Sequence, residues 1–303
     1  MVPEVNHEFV SRKCSFFAAA QLWPLKSKVD PDGWLGNFDQ EDRRHAIQLL
    51  NSFLYFSGNM VDRLFYSAMQ GLSREVTTSG SSLANRRLEW SRFLDNAIVT
   101  FPTGEKPFAG DSGHLFVRKA RDLTQFDENQ ILSPDKVVDE LNSGSTYSAV
   151  IFVDDFVGTG QQFRKTWHRK ADCGESFETL YSKQSFPVFY CPLMCTEYAR
   201  GQGLFELDGK VNFSPAYWLS DNYSLFASDS IWWPKSLQSG ARDFIYKYSD
   251  RIGLPMTGGS DVTDWQGYNK LGLSIAFEHC CPDATIPLYY TTLSGWTPLW
   301  RRN

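Results

Sequence analysis

The chain has 303 residues, of which 42% are hydrophobic, 21% charged and 15% aromatic. This length and apolar content can build a sizeable core, and they exclude a disordered chain, a collagen-like fibre and a small disulfide-stapled scaffold. Lys and Arg number 30 against 35 Asp and Glu, which gives a net charge of −5, and no local basic patch is obvious. We therefore expect no strong nucleic-acid binding by the chain alone.

No run of the sequence is apolar over the roughly 18 residues that a transmembrane helix needs. The run CSFFAAAQLWPL after Arg12 and Lys13 is only faintly like a signal peptide, because Gln21 and Pro24 interrupt it. An amphipathic N-terminal helix fits this stretch better. We expect a cytoplasmic protein that makes no contact with a membrane.

The six cysteines include no C-x-x-C pair, and their spacing indicates reduced thiols rather than a disulfide framework. Cys191 and Cys195 lie in an apolar run and are predicted to be core residues. His279, Cys280 and Cys281 are adjacent in the sequence. Because adjacent residues rarely converge on one ion, a structural role is favoured there over a metal site.

The first third of the chain has a helical pattern. Apolar side chains recur at helical spacing in residues 40–57, 61–72 and 83–97. We expect amphipathic helices there, with apolar faces that pack in a core rather than bind a cofactor. Residues 1–96 are thus predicted to form a helical N-terminal extension.

The pattern changes near residue 97. Short apolar runs typical of buried strands then alternate with polar helical stretches, and they lie at residues 97–101, 114–119, 147–155 and 186–194. This alternation predicts an α/β fold with a mainly parallel sheet. Residues 97–303 are predicted to form this core with a mixed C-terminal region, in one compact unit with the N-terminal extension.

The most informative stretch is residues 149–163, AVIFVDDFVGTGQQF. Its apolar start predicts a buried strand that places Asp154 and Asp155 at its carboxyl end. Ligands of open α/β sheets bind at this edge.

The loop that follows has the features of a phosphate site. Gly158 and Gly160 let the backbone approach an anion closely, and Thr159 adds a hydroxyl. The next helix offers backbone amides and a positive dipole end. The loop has no Lys of a Walker A motif, and Phe163 stands where a dinucleotide fingerprint has its third Gly. The alternative is a tight turn without a ligand.

A strand that ends in paired acids and is followed by Thr-Gly resembles the PRPP-binding motif of type I phosphoribosyltransferases. The resemblance implies that Asp154 and Asp155 hold the ribose hydroxyls, act as catalytic residues and bind a Mg²⁺ cofactor. It also implies that the 5′-phosphate is lined by Gly158, Thr159, Gly160, Gln161 and Gln162. The family usually has a second Thr or Ser where this chain has Gln162.

A phosphoribosyltransferase also needs groups for pyrophosphate. The sequence offers Ser112 and Gly113 and, after them, the basic residues Arg118, Lys119 and Arg121. We favour Arg118 because arginine makes bidentate phosphate contacts. The alternative for each of these charges is a solvated position on the surface.

Glu278 follows the apolar run LGLSIAF, which is predicted to be a strand. A carboxylate at a strand end can act as a base on the attacking nucleophile, so Glu278 is a candidate catalytic residue. A structural pair with His279 is the equally weighted alternative.

Other pieces of the chain are similar to the PRTase-CE family, a phosphoribosyltransferase-like group of bacterial conflict and anti-phage loci. These pieces are WLGNF (34–38), GYNKLGLSIAFEHCCPDATIPLYY (267–290) and WTPLWR (296–301). The resemblance implies a cytosolic effector or toxin of antiviral defence. Such a protein would transfer the ribosyl group of PRPP or a related compound, or hydrolyse this donor.

Two other functions stay open. One is a non-catalytic PRPP or nucleotide sensor, which Gln162 and the lack of a clear pyrophosphate loop favour. The other is an interaction subunit of a defence complex. The family's setting raises a reverse transcriptase with its RNA as a partner, although no residue of the sequence indicates one.

Overall fold

The structure is a computed structural model that describes residues 2–24, 27–103, 113–124, 126–144, 146–257 and 263–301. The chain forms two compact units, one of residues 1–61 and 220–303 and one of residues 62–219. Residues 1–96, the predicted N-terminal extension, are divided between the two units. None of the helices in the described part of the chain combines the length and apolar content that crossing a bilayer requires.

The helices, in chain order, are α1 (His7–Ala19), α2 (Pro31–Leu35), α3 (Arg43–Asn51), α4 (Gly58–Val76), α5 (Leu83–Asp95), α6 (Gly113–Thr124), α7 (Pro134–Asn142), α8 (Gln161–His168), α9 (Phe177–Lys183) and α10 (Lys235–Arg251). The strands are β1 (Leu54–Phe56), β2 (Ala97–Thr100), β3 (Ala149–Val157), β4 (Val188–Thr196), β5 (Asn212–Phe213), β6 (Tyr217–Leu219), β7 (Thr263–Asp264), β8 (Gly267–Tyr268) and β9 (Ile275–Phe277).

The central sheet lies in the unit of residues 62–219. Its strands β2, β3 and β4 run parallel in that order, and β5 and β6 both pair in parallel with β4. Ile98 pairs with Val150, which pairs in turn with Val188. Every residue of β4 is buried, as expected of a parallel sheet that is covered on both faces. The predicted α/β class with a mainly parallel sheet is confirmed, and Cys191 and Cys195 are core residues as predicted.

Helices cover both faces of this sheet. On one face α7, α8 and α9 pack on the strands, and Phe152 of β3 meets the rings of Phe163 and Phe177 at centroid distances of 4.8 and 5.1 Å. On the other face, Phe93 of α5 meets Phe189 of β4 at 5.5 Å. Helix α6 also packs on β3, and α4 packs on α6. Because β2, β3 and β4 run parallel, their carboxyl ends lie at one edge of the sheet.

The apolar run at residues 114–119, predicted as a strand, belongs to α6. This helix buries Phe116, Val117 and Ala120, a spacing that places them on one helical face. The strand prediction is therefore wrong here. A short apolar run fits a strand and a buried helix equally well, so periodicity alone could not separate the two. The runs predicted as strands at residues 97–101, 147–155 and 186–194 correspond to β2, β3 and β4.

The other unit has an aromatic core to which α1, α2, α3 and α10 contribute. Trp34 stacks on Tyr289 with ring centroids 5.6 Å apart, and its indole N–H donates to the carbonyl oxygen of Leu288 at 2.8 Å. The hydroxyl of Tyr289 donates to the carbonyl oxygen of Leu49 at 2.9 Å and accepts from the hydroxyl of Ser274 at 2.7 Å. The polar tips of these large residues are thus satisfied inside the core.

This unit also contains a short parallel pair, β1 with β9. The helix predicted over residues 40–57 therefore ends early, because α3 stops at Asn51 and the next residues pair with β9. A partner so distant along the chain leaves no trace in the local pattern. The helices predicted at residues 61–72 and 83–97 are confirmed as α4 and α5.

Candidate functional site

Asp154 and Asp155 lie near the carboxyl end of β3, which runs between β2 and β4. Both residues are buried, with 3% and 6% of their surface exposed. Burial of a carboxylate is costly unless hydrogen bonds or charges replace the lost water. The contacts of each carboxyl group therefore decide what it can do.

The carboxyl group of Asp154 is held inside the protein. The hydroxyl of Tyr190 donates to its Oδ2 at 2.7 Å, and the backbone N–H of Asp155 donates to its Oδ1 at 3.0 Å. Strand alternation places Asp154 on the face of β3 that carries Phe152 and packs against α8 and α9. Burial and the neighbouring Asp155 carboxylate raise the pKa of Asp154 well above its usual value, which favours its protonated form.

Asp155 lies on the opposite face of β3 by the same alternation. Its Oδ1 accepts a hydrogen bond from the backbone N–H of Phe156 at 2.7 Å. Mg²⁺ in proteins is typically bound by one or two carboxylates together with substrate oxygens and water. The carboxylate of Asp155 is of the type that such an ion prefers, and both oxygens of Asp154 accept hydrogen bonds within the protein.

The loop after β3 has a defined backbone. The hydroxyl of Thr196 donates to the carbonyl oxygen of Gly158 at 2.6 Å. Gly160 has a φ of 73°, in the left-handed region that favours glycine, and as the N-cap of α8 it brings no capping side chain. The N–H of Gln161 donates to Thr159 Oγ1 at 3.4 Å. The loop and the first turn of α8 therefore have the backbone form that binds phosphate in other folds.

Residues 199–204, which follow β4, pack against this loop, and we call them the clamp segment. A Cβ atom on Gly203 would lie 1.7 Å from the carbonyl oxygen of Thr159, so only glycine fits at this position. A Cβ atom on Gly160 would lie 2.6 Å from the side chain of Leu204. The clamp segment and the loop thus fix each other's backbone.

Sequence reasoning missed the clamp segment. Its residues Ala199–Gly203 form a π-helical turn, a rare conformation that is frequent at functional sites. The N–H of Ala199 donates to the Thr196 hydroxyl at 3.0 Å, which joins this turn to the end of β4. The two glycines at 201 and 203, soon after a predicted strand, were the available signal.

Helix α8 is also tied to the end of β2. The side-chain amide of Gln162 donates to the carbonyl oxygen of Pro102 at 3.3 Å, and the N–H of Thr103 donates to Thr166 Oγ1 at 2.9 Å. An Nη of Arg169 donates to Thr103 Oγ1 at 2.6 Å. The residue that departs from the phosphoribosyltransferase pattern, Gln162, therefore makes a structural contact.

Arg118, the residue favoured for pyrophosphate, lies exposed on α6. Gly113 begins this helix against Phe101, whose ring atoms would be 2.4 Å from a Cβ atom at position 113. Ser112 lies outside the described residues. A role of Arg118 in pyrophosphate binding stays a prediction.

Glu278 follows β9 in the unit of residues 1–61 and 220–303. Its Oε2 accepts a hydrogen bond at 2.6 Å from the N–H of Gly58, the first residue of α4. A carboxylate at this position satisfies a helix N–H and interacts favourably with the helix dipole. Glu278 thus caps α4 from a distance of 220 positions along the chain, and its role as a catalytic base stays a prediction.

The α/β architecture with a mainly parallel central sheet is consistent with a phosphoribosyltransferase-like fold. A model of the PRTase-CE family matches residues 31–302, nearly the whole chain. The chain belongs to this family, whose name implies a phosphoribosyltransferase-like protein. Comparisons with curated proteins and with solved structures found no match.

Proposed function

We propose that the chain binds PRPP, or a related ribose phosphate, at the carboxyl end of β3. One observation carries this proposal: the Asp155 carboxylate adjoins a glycine loop that begins a helix with no capping side chain at its N-cap. The loop amides and the helix dipole suit the 5′-phosphate, and the carboxylate suits ribose hydroxyls. Membership of the PRTase-CE family supports the same ligand class.

Within this proposal the two aspartates have different roles. Asp155 accepts the ribose hydroxyls and binds Mg²⁺, because its carboxylate adjoins the glycine loop at the carboxyl end of β3. Asp154 has a structural role, since its oxygens accept hydrogen bonds from the Tyr190 hydroxyl and from the backbone N–H of Asp155. The Mg²⁺ ion, when bound, would neutralise part of the charge of the donor's pyrophosphate.

The residues would contribute mainly by positioning and charge. In a transfer reaction the bond between C1′ and the pyrophosphate oxygen breaks, and positive charge develops on the ribose ring. The loop at Gly158–Gly160 would hold the 5′-phosphate while Asp155 fixes the ribose and stabilises that charge. Glu278 and Arg118 remain candidates for activation of the acceptor and for pyrophosphate binding.

A second function, a non-catalytic PRPP or nucleotide sensor, is favoured by the contact of Gln162. Its side-chain amide donates to the Pro102 carbonyl oxygen, where the phosphoribosyltransferase pattern has a hydroxyl for the phosphate. A sensor would bind the ligand without turnover and transmit the change to a partner.

The test is isothermal titration of PRPP with Mg²⁺ into the wild type and the double variant Asp154→Asn/Asp155→Asn. We expect binding in the wild type and its loss in the double variant. Radiolabelled PRPP then separates the two functions, because release of pyrophosphate indicates a transferase or hydrolase and binding without release indicates a sensor. No binding by a folded wild type would contradict the proposal.

We also propose, from the resemblance to conflict loci, that the protein acts as an effector in bacterial anti-phage defence. A reverse transcriptase–RNA complex is the candidate partner. Phage protection should disappear in the Asp155→Asn variant at unchanged protein level. Protection that persists in this variant would favour the interaction subunit of a defence complex instead.

A further inference from the structure

The outer face of α8 carries a second feature that the proposed function does not use. A groove of about 370 Å³ is lined by residues at positions i, i+3, i+4, i+7 and i+8 from the start of α8, which share one side of the helix. They are Gln161, Arg164, Lys165, His168 and Arg169. All charged side chains among them are basic.

Acidic residues outside the lining hold these cations in place. Glu206 accepts from Nε of Arg164 at 2.8 Å and lies 3.2 Å from Nε2 of His168. Glu178 lies 2.9 Å from the other ring nitrogen of His168. The groove side chains are therefore positioned before any ligand arrives, which lowers the entropic cost of binding.

Arg169 is the most firmly held of the lining residues. Its guanidinium donates to Asp135 at 2.7 Å and to Thr103 Oγ1 at 2.6 Å, and its side chain is only 14% exposed. A buried arginine with two anchors is held in a fixed direction. Burial lowers the pKa of His168, but its hydrogen bonds to Glu178 and Glu206 outweigh burial and raise the pKa overall.

We propose that this groove is a second anion site, which binds the phosphate groups of a small phosphorylated molecule. The volume lies in the range of small-molecule sites, and the guanidinium and ammonium groups of the lining are hydrogen-bond donors suited to phosphate oxygens. Gln161 begins α8 directly after the phosphate loop, so the groove adjoins that loop along one helix. The ligand is either an acceptor that carries its own phosphate or a phosphorylated regulator, and the two share this chemistry.

The first test is titration of inorganic triphosphate into the full chain without Mg²⁺. Four proteins are compared: the wild type, Arg164→Gln/Lys165→Gln, Lys165→Glu and a control, Lys136→Gln/Lys170→Gln. The control removes two positive charges outside the groove lining. Lys165→Glu leaves the Arg164–Glu206 pair in place, so it separates loss of binding from loss of that contact. We expect about a tenfold weaker affinity in both groove variants and unchanged affinity in the control.

A fifth protein, Thr159→Ala, removes the hydroxyl of the phosphate loop and keeps Gly160 and all groove side chains. Persistent triphosphate binding in this variant supports a separate site, whereas loss in it with normal binding by the groove variants overturns the proposal. Absence of binding in the wild type also overturns it. Tighter, groove-dependent binding of a single-stranded oligonucleotide would overturn the small-molecule assignment.

A second arm separates the two sources of the phosphate. If the ligand is an acceptor, a phosphorylated nucleoside should accelerate PRPP consumption in the wild type and not in Lys165→Glu. If the ligand is a regulator, it should change PRPP affinity without being consumed. Failure of the wild type to bind PRPP contradicts the proposed function and leaves the triphosphate result unaffected.

Discussion

Two strand ends in this molecule each carry a carboxylate, and the two carboxylates have different partners. At the end of β9, the carboxylate of Glu278 accepts from the first N–H of α4 and so occupies that helix N-terminus. At the end of β3, Tyr190 holds the Asp154 carboxyl group in the core, and α8 begins at a glycine that has no side chain to cap it. A carboxylate thus satisfies the first N–H of α4, whereas at α8 the neutral hydroxyl of Thr159 accepts from the first N–H.

The clamp segment fixes the backbone of the loop after β3. We therefore expect the largest effects from changes in this segment. In Gly203→Ala the new methyl group would collide with the Thr159 carbonyl oxygen at 1.7 Å, so the loop must move. We expect a loss of about 3 kcal/mol in the free energy of unfolding and loss of detectable PRPP binding. Urea denaturation and calorimetric titration measure the two effects.

The matched control is Gly201→Ala in the same π-helical turn, where a Cβ atom would meet nothing within 4 Å. It should behave as the wild type in both measurements. Equal behaviour of the two alanine variants would mean that the clamp segment does not shape the loop.

Tyr190→Phe removes the hydroxyl that donates to the Asp154 carboxyl group. The buried carboxyl group loses a hydrogen bond, so we expect a loss of about 2 kcal/mol in the free energy of unfolding. Tyr181→Phe, a half-buried tyrosine beside the same core cluster, serves as the control and should cost less. An unchanged unfolding free energy in Tyr190→Phe would contradict the described role of the hydroxyl.

The pH dependence of stability tests the same carboxyl group. Because the pKa of Asp154 is raised in the native state, the native protein keeps a proton that the unfolded chain loses above pH 3.8, the ordinary value. The free energy of unfolding should therefore fall as pH rises through the native pKa. Asp154→Asn should flatten this dependence in denaturation curves recorded across the acidic range, and an unchanged slope would contradict the assignment.

Glu278→Gln tests the carboxylate that caps α4. The variant keeps a hydrogen-bond acceptor but loses the negative charge at the start of α4, so we expect a loss of about 1 kcal/mol in unfolding free energy. PRPP affinity should stay within threefold, about 0.7 kcal/mol. Glu8→Gln, an exposed residue of α1, controls for loss of one surface charge. A larger effect on turnover than on stability would restore Glu278 as a catalytic residue.

His168→Gln has the smallest expected effect. Hydrogen bonds to Glu178 and Glu206 raise the pKa of His168 against the opposing effect of burial. The stability they provide is present below the ordinary pKa of 6.5 and is lost as pH rises through the native value. Solvent screening limits it to less than about 1 kcal/mol. Thermal unfolding on both sides of this range should show a pH dependence in the wild type that the variant lacks.

The sequence predicted the parts of the site that are local. Residues 149–163 contain the strand, both acids, the glycine loop and the start of α8 in one continuous pattern, so their arrangement could be predicted without tertiary information. The parallel sheet was predictable for the same reason, since buried strands have continuous apolar runs.

The parts that were missed depend on contacts between distant residues. Nothing near Asp154 indicates that Tyr190 holds it, and nothing near Gly58 indicates Glu278. The strand β1 was hidden within a helical pattern because its partner β9 lies at the other end of the chain. Tertiary pairing overrides local propensity at such places.

The different roles of Asp155 and Asp154 are tested by the PRPP affinities of the single variants Asp155→Asn and Asp154→Asn, measured by calorimetric titration with Mg²⁺. We predict a loss of about 10- to 100-fold in Asp155→Asn, the size expected for hydrogen bonds to a charged group. Asp154→Asn should stay within about threefold of the wild type, because its carboxyl group faces Tyr190. Equal losses in both variants, or a greater loss in Asp154→Asn, would contradict the division of roles between the two aspartates.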